Sequence, residues 1–223
     1  MQIYAKIFFV KKLVIVDLDG TLIDSYKGIK EALNYAQRKF SKRPWGLMEV
    51  KKRVGRGLEI LIEEAIGKEY VQEGVKYFRE KYSKIYLKRT KILPFVKETI
   101  EYLYKKNIKL AIASNKPSDF TKKILEDFGI KNSFSLILGP FEVEKLKPAP
   151  EMILKILNYL KIKKEDALYV GDMLLDAETA KNAGIDCILV ASGGNSFEEL
   201  KKTGFIVAKN IKEIISLGGF YDS

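Results

Sequence analysis

The chain contains five short runs of apolar residues, each four or five residues long and bounded by turn-forming residues. They cover residues 13–16, 109–113, 135–138, 167–170 and 186–190, with a shorter sixth run at 206–207. Runs of this length, rich in valine, isoleucine and leucine, are typical of strands buried on both faces of a parallel sheet. The pattern therefore predicts a sheet of five or six strands.

The segments between these runs repeat their apolar residues every three to four positions, as amphipathic helices do. They cover residues 95–106, 117–128, 152–160 and 177–183. Strands that alternate with helices in this way indicate an α/β fold with a doubly wound, Rossmann-like parallel sheet.

The stretch from residue 24 to residue 90 breaks this alternation, because it shows helical periodicity and no convincing strand. Three helices are predicted in it, at residues 28–40, 58–66 and 71–87. We therefore expect an α/β core formed by residues 1–23 and 91–223. A small all-helical domain, residues 24–90, is inserted after the first strand, with connecting segments near 22–25 and 90–94.

Composition narrows the chemistry that is open to this fold. The chain has no histidine and one cysteine, which excludes imidazole-based triads, histidine-ligated zinc and cysteine-cluster metal sites. Cys187 lies in an apolar run and is expected in the core. Catalysis would therefore depend on carboxylates, lysine or arginine, hydroxyls, backbone amides and a hard metal ion.

Charge is distributed unevenly along the chain. Lysine and arginine number 40 against 29 acidic residues, a formal net charge of +11. Residues 24–90 hold 17 basic and 9 acidic residues, so +8 of the excess lies in the helical insert. Nucleic acid, a membrane surface or an anionic small substrate would each suit this charge.

No apolar run reaches the roughly 18 residues of a membrane span, and no clear signal peptide precedes the first strand, so we expect a cytoplasmic protein.

Polar residues follow the predicted strands where each strand ends. Asp17 and Asp19, with Gly20 and Thr21, follow the first run, and Ser114-Asn115 follows the second. In open α/β sheets, ligands bind beyond the carboxyl ends of the strands. Two carboxylates one residue apart repel each other, and a cation would relieve that repulsion.

Two further segments complete the set. Lys147 stands in the stiff sequence Leu-Lys-Pro-Ala-Pro, and Asp172 and Asp176 follow the run at 167–170 after Gly171. Each segment alone has an ordinary structural explanation, as a turn, a helix N-cap or a surface lysine. All of them together, in one chain order and at the strand ends of one sheet, indicate a site.

In this order the segments resemble the four motifs of the haloacid dehalogenase-like phosphatase superfamily. Asp17-Leu-Asp-Gly-Thr is similar to its first motif, Ser114-Asn115 to the second, Lys147 to the third and Gly171-Asp172-x-x-x-Asp176 to the fourth. The resemblance spans residues 13–217, and the helical insert resembles the C1 cap of that superfamily. Within it the chain is most similar to phosphoglycolate phosphatase-like proteins, which carry a cap motif like Val54-Gly55-Arg56-Gly57. Met173 departs from the pattern, in which serine or threonine is common.

The resemblance implies a role for each motif residue. Asp17 would be the nucleophile that forms a phosphoaspartate, and Asp19 would be the general acid and base. Mg²⁺ would be bound by the Asp17 carboxylate, the Asp19 backbone carbonyl and Asp172, since every candidate ligand is an oxygen. Asp176 would position a ligating water or Lys147. Substrate and phosphate binding would fall to Gly20, Thr21, Ser114, Asn115, Lys147 and, in the cap, Arg56.

The substrate expected from this assignment is a small phosphorylated metabolite such as 2-phosphoglycolate, with neither nucleic acid nor membrane as partner, and the protein is expected as a monomer or homodimer. Three alternatives stay open at this point. A β-phosphoglucomutase-like phosphotransferase would use the same motifs, a basic nucleic-acid-binding or regulatory protein would use the net charge, and a catalytically idle scaffold would use neither.

Overall fold

A computed structural model describes residues 11–220. Residues 1–10, predicted as part of the α/β core, and residues 221–223 lie outside the described residues. The described strands are β1 (Leu13–Val16), β2 (Ile23–Asp24), β3 (Lys91–Ile92), β4 (Lys109–Ala113), β5 (Leu136–Leu138), β6 (Ala167–Gly171), β7 (Asp186–Val190) and β8 (Ile206–Ala208).

The helices of the same part of the chain are α1 (Tyr26–Lys39), α2 (Leu47–Arg53), α3 (Leu58–Ile66), α4 (Val71–Arg89), α5 (Val96–Lys105), α6 (Ser118–Asp127), α7 (Glu151–Leu160), α8 (Leu174–Ala183), α9 (Phe197–Lys201) and α10 (Ile214–Leu217). Short 3₁₀ turns occur at Lys68–Tyr70, Lys131–Ser133, Pro140–Glu142, Lys164–Asp166 and Ile211–Glu213. None of the helices between residues 11 and 220 is long and apolar enough to cross a membrane.

Six of the described strands form one parallel sheet in the order β5-β4-β1-β6-β7-β8. All six predicted strands are therefore confirmed, and the doubly wound α/β core with them. Alternate residues of β1 serve two cores: Val14 and Val16 pack on one face of the sheet, Leu13 and Ile15 on the other. Burial on both faces explains why these strands read as continuous apolar runs.

The helical insert contains one helix more than the three that the sequence predicts. The extra helix, α2, is short and has a single buried residue, Val50. So little burial leaves almost no apolar periodicity, and the prediction missed it for that reason. Arg43 and the backbone N–H of Gly46 both contact the Glu49 carboxylate, which stabilises the first turn of α2.

The predicted connecting segments near 22–25 and 90–94 pair with each other. β2 and β3 form a two-stranded antiparallel ribbon in which Ile23 pairs with Ile92 and Asp24 with Lys91. The helical insert thus leaves and rejoins the core at one point. Its helices share an apolar cluster with the sheet, since Phe78 of α4 belongs to the same cluster as Val16 of β1.

Candidate active site

The carboxyl ends of three neighbouring strands bring the motif residues together. Asp17 follows β1, Ser114 follows β4 and Asp172 follows β6, and β1 lies between β4 and β6 in the sheet. Parallel strands all end at the same edge, so these residues share one site although Asp17 and Asp172 are 155 positions apart in the chain. Each of the three is buried.

Lys147 is the buried cation of this site. Its ammonium donates to Asp17 Oδ1 at 2.7 Å, to Asp176 Oδ1 at 2.7 Å and to the Tyr169 hydroxyl at 3.1 Å. Although burial by itself lowers the pKa of Lys147, Asp17 and Asp176 raise it well above its ordinary value. The lysine therefore stays charged, and its three donors are all used.

Asp17 is poised between opposing influences. The pKa of its carboxyl is raised to about 6, because burial and the nearby Asp176 raise it more than Lys147 lowers it. The carboxylate is thus less stable as an anion than one in water, yet it is mostly ionised near neutral pH. A group in this position is a better nucleophile than a fully hydrated carboxylate.

Asp172 lies deeper and is completely buried. The Thr21 hydroxyl donates to its Oδ1 at 3.0 Å, and the backbone N–H of Gly194 donates to its Oδ2 at 2.7 Å. Burial, together with Asp176 and Asp17, holds the pKa of Asp172 well above its ordinary value. The buried carboxylates of Asp17 and Asp172 repel each other, and a divalent cation between them would stabilise both.

The room around Asp172 depends on two glycines. A Cβ atom on Gly193 would lie 1.8 Å from Asp172 Oδ2, and one on Gly20 would lie 2.4 Å from the same oxygen. Gly20 also has a φ of +93°, which disfavours any side chain. The sequence pointed to Gly20 but not to Gly193, which comes from the loop after β7.

Carboxylate oxygens of Asp17, Asp172 and Asp176 lie within 4.8 Å of one another, so the donor set suits a hard divalent cation. The Asp176 carboxylate is already engaged, however. Its Oδ1 accepts from Lys147 and Tyr169, and its Oδ2 accepts from the backbone N–H groups of Asp172 and Met173 at 3.1 and 3.0 Å. This favours a positioning role for Asp176, which orients the Asp172 loop and Lys147, over direct ligation.

Met173, the departure from the usual motif, contributes its backbone N–H to that arrangement. Its sulfur faces the helical insert, because a Cβ on Gly55 would lie 2.8 Å from Met173 Sδ. The methionine side chain therefore packs against the helical insert and leaves the carboxylate contacts of its own loop intact.

Asp19 points its side chain away from this cluster. Its carboxylate accepts from the Ser25 hydroxyl and lies 2.9 and 3.1 Å from the ammonium of Lys116. Lys116 is itself buried, and although burial acts to lower its pKa, Asp19 raises it above the ordinary value. The sequence did not single out Lys116, whose only signal is its position directly after Ser114-Asn115.

Asn115 connects three parts of the molecule. Its side-chain amide donates to the carbonyls of Gly55 and Lys147 at 2.8 and 3.2 Å and accepts from the Lys147 N–H at 3.0 Å. These bonds fix the backbone on both sides of the site. The Ser114 hydroxyl, by contrast, has one long contact, from the Lys116 N–H at 3.4 Å, and is oriented by little else among residues 11–220.

A cavity opens between the strand ends and the helical insert. From the core it is lined by Asp17, Asp19, Ser114, Asn115, Lys116, Pro117 and Phe120, and from the insert by Ile29, Val54, Gly55, Gly57, Leu58, Leu61, Phe78, Arg79 and Tyr82. The walls from the insert are mostly apolar. Arg56 is exposed on the turn between α2 and α3 and is not among the lining residues, although its neighbours Gly55 and Gly57 are.

Comparison with known proteins agrees with this arrangement. The sequence model of haloacid dehalogenase-like hydrolases matches residues 14–190. A phosphoglycolate phosphatase of Psychrobacter arcticus is 32% identical over 86% of this chain and 88% of its own length. One from Aquifex aeolicus is 36% identical over 82% and 85%.

Solved structures lead to the same family. The crystal structure of a protein described as a predicted phosphatase, from Clostridium acetobutylicum, superposes with a TM-score of 0.85 at 28% identity, covering 93% of this chain and 98% of that one. The shared sheet, the four strand-end motifs and the relatives at 30% identity or more lead to one conclusion. The chain belongs to the haloacid dehalogenase-like hydrolase family, and within it to the phosphatases that resemble phosphoglycolate phosphatase.

Proposed function

We propose that the protein is a Mg²⁺-dependent phosphomonoester hydrolase that works through a phosphoaspartate and takes 2-phosphoglycolate as substrate. The observation that carries the proposal is the buried Asp17 carboxylate at the end of the central strand, paired with Lys147 and open to the cavity. The names of the relatives from Psychrobacter arcticus and Aquifex aeolicus support the choice of substrate.

Asp17 is the proposed nucleophile. One of its carboxylate oxygens attacks phosphorus, and the bond between phosphorus and the ester oxygen breaks. The Lys147 ammonium contacts Asp17 Oδ1. As Asp17 bonds to phosphorus and loses its negative charge, this ammonium would stabilise the negative charge on the phosphoryl oxygens instead. The Ser114 hydroxyl would bind the same oxygens. The sequence assigns Gly20 and Thr21 to this task as well, but the Gly20 N–H donates to the Ile23 carbonyl, and the Thr21 N–H and hydroxyl donate to the Leu18 carbonyl and to Asp172.

Asp19 is the proposed general acid and base. Ser25 and Lys116 hold its carboxylate at the cavity side of the first loop. In its protonated form it would give that proton to the leaving ester oxygen and become the carboxylate. It would then take a proton from the water that attacks the phosphoaspartate, whereupon the bond between phosphorus and Asp17 breaks and phosphate is released.

A Mg²⁺ ion would be held by the carboxylates of Asp17 and Asp172 and by the Asp19 backbone carbonyl, with Asp176 orienting the Asp172 loop. When bound, it supplies positive charge that offsets the phosphoryl oxygens and the clustered carboxylates. The buried and mutually repelling carboxylates of Asp17 and Asp172, and the space kept open by two glycines, support this assignment.

Residues 24–90 are the proposed cap domain. The β2–β3 ribbon joins them to the core at one point, and their apolar side chains form the far wall of the cavity. Such a cap would exclude water from the phosphoryl group and contact the leaving group. Arg56 is the cap residue that the sequence proposes for a substrate carboxylate, and its side chain is exposed.

The test is phosphate release, with and without Mg²⁺, from 2-phosphoglycolate, sugar phosphates, nucleotides and p-nitrophenyl phosphate. The proposal expects Mg²⁺-dependent release with the highest kcat/KM for 2-phosphoglycolate. Release of similar efficiency from every ester would keep the hydrolase and remove the named substrate. Isomerised sugar phosphate without net release would establish the phosphotransferase instead, and no reaction with any ester would refute both.

A further inference from the structure

Two side chains of the cavity wall near Asp19 have hydrogen-bond donors that the proposed reaction does not use. They are the ammonium of Lys116, in the loop after β4, and the hydroxyl of Tyr82, on cap helix α4. Both side chains are buried, and the ammonium lies 5.0 Å from the centre of the tyrosine ring. Core and cap thus each place one donor on the same side of Asp19.

The Tyr82 hydroxyl is the more unusual of the two. Tyrosine hydroxyls that are buried almost always find a hydrogen-bond partner. Tyr82 is only 3% exposed, and among residues 11–220 its hydroxyl donates to no acceptor, although the Lys116 ammonium lies near enough to act to lower its pKa. With an ordinary pKa near 10, raised further by burial, it is a neutral donor at physiological pH. A ligand atom that enters the cavity beside Tyr82 could accept the bond that this hydroxyl leaves unmade.

We infer that Lys116 and Tyr82 together form a subsite for a carboxylate on the leaving group of the substrate. This inference rests on the proposed hydrolase and specifies how it would select its ester. The ester oxygen must lie about 2.6–3.2 Å from the Asp19 carboxylate to receive its proton. Lys116 Nζ is 2.9 Å from that same carboxylate. A carboxylate two bonds from the ester oxygen, as in 2-phosphoglycolate, is therefore within reach of the ammonium.

The charges of the site favour an anionic arm at this place. Lys147 already donates to Asp17 and Asp176, so it is not available to the leaving group. Lys116 has three donors and shares them between Asp19 and the tyrosine face. A carboxylate could accept from one of them and from the Tyr82 hydroxyl without displacing Asp19.

Two arginines of the cap are the competing candidates. Arg79 lines the cavity, but its side chain is 46% exposed and lies 3.9 Å from Glu59, at the solvent side. Arg56 does not line the cavity at all. A charge-assisted bond is worth most where water is excluded, which is the condition of Lys116 and Tyr82 and not of the two arginines.

The experiment compares 2-phosphoglycolate with ethyl phosphate, in which a methyl group replaces the carboxylate. The measured quantity is the ratio of kcat/KM for the two esters with saturating Mg²⁺. Tyr82→Phe removes only the unpartnered hydroxyl, so it should lower this ratio about tenfold while the melting temperature stays the same or rises. Lys116→Met should lower the ratio about 10- to 100-fold, and Lys116→Arg should restore part of it.

Matched controls separate a subsite from general damage. Tyr86→Phe changes the next tyrosine of α4, which does not line the cavity, and Lys123→Met changes an exposed lysine of α6; both should keep the wild-type ratio. A purely structural role for Lys116 would slow both esters equally and leave the ratio unchanged, which would overturn the inference.

Three other outcomes would also overturn it. A wild-type ratio near one would show that no carboxylate is recognised. A ratio that falls in Arg79→Met or Arg56→Ala, and not in Tyr82→Phe or Lys116→Met, would give the role to an arginine. Failure of the wild type to hydrolyse any ester would refute the proposed function itself, and with it this subsite.

Discussion

Replacing Lys147 with methionine tests whether the buried charge network is described correctly, and it can be done without substrate or metal. The lysine side chain is 2% exposed, and its ammonium is 2.7 Å from a carboxylate oxygen of both Asp17 and Asp176. Methionine is similar in length and apolar, so the change removes the charge and leaves most of the packing. What is lost is the positive partner of two buried carboxylates.

The magnitude follows from the geometry. At 2.7 Å and an effective dielectric constant of about 20, each pair has a Coulomb energy of roughly 6 kcal/mol, most of which offsets the cost of desolvating the charges. Removing one partner of a buried pair costs about 3–5 kcal/mol. In a protein of this size each kcal/mol is worth about 2–4 °C, so the melting temperature should fall by roughly 6–20 °C.

The loss should depend on pH in a defined direction. Burial raises the pKa of Asp17 to about 6, against the lowering influence of Lys147. A carboxyl with a raised pKa contributes its stability below its ordinary value and loses it as the pH rises towards 6. Without Lys147 the pKa of Asp17 rises further, so ionising Asp17 in the folded variant costs more free energy than in the wild type. The gap in unfolding free energy between wild type and variant should therefore widen above about pH 6.

The assay is thermal unfolding followed by circular dichroism at pH 5 and pH 8, in the presence of a chelator. Lys145→Met is the matched control, because Lys145 is an exposed lysine of the same loop and its loss should cost no more than about 0.5 kcal/mol. A difference in melting temperature between wild type and Lys147→Met below about 3 °C at pH 8 would refute the reasoning. A difference as large at pH 5 as at pH 8 would refute it as well.

The remaining predictions concern the nucleophile, the metal, a glycine and the cysteine. Asp17→Asn should lower the rate of phosphate release at least about 10³-fold, because an amide cannot form the phosphoaspartate; a variant with the full rate would remove Asp17 as nucleophile. Mg²⁺ at about 100 times its dissociation constant should stabilise the fold by about 2.7 kcal/mol in thermal unfolding, and a chelator should stop turnover; activity that persists in the chelator would exclude the metal. Gly193→Ala should abolish Mg²⁺-induced stabilisation, since its Cβ would lie 1.8 Å from Asp172 Oδ2, whereas Gly46→Ala, with 3.6 Å to its nearest neighbour, should retain it; equal behaviour would contradict the description of the pocket around Asp172. Cys187, 3% exposed and with a thiol pKa raised by burial, should react with a thiol reagent only after unfolding, so rapid labelling of the native protein would contradict its place in the core.

The sequence predicts structure well where a run of apolar residues reflects burial in the fold. A strand buried on both faces must be apolar at every position, which is why the runs at 13–16 and 167–170 were recognisable. It was less successful in the cap. The apolar pattern does not predict α2, because this helix buries only Val50. It predicts connecting chain where β2 and β3 pair, because strands of two residues are too short to show a period.

The candidate site residues likewise fall into those that a local pattern of residues indicates and those that only a contact in the folded protein reveals. Asp17, Ser114 and Asp172 could be located from the sequence because each stands directly after an apolar run. Lys116 gives no such signal, since its partner Asp19 is 97 residues away, and one lysine among many is not informative. Tyr169 lies within a strand run, where an aromatic residue is expected for packing alone, and its hydroxyl contact with Asp176 shows only in the folded protein.

The α/β class, the inserted helical segment and the strand ends that carry chemistry can all be predicted from the residues alone, because they depend on the period of apolar residues and on the common edge of a parallel sheet. The direction in which each side chain faces depends instead on how distant parts of the chain pack together. In the folded protein Asp19 contacts Lys116, both oxygens of Asp176 accept hydrogen bonds, the Tyr82 hydroxyl has no acceptor and Arg56 does not line the cavity. Such contacts join residues far apart in the chain, and their geometry is set by packing between core and cap, which no local pattern of residues encodes.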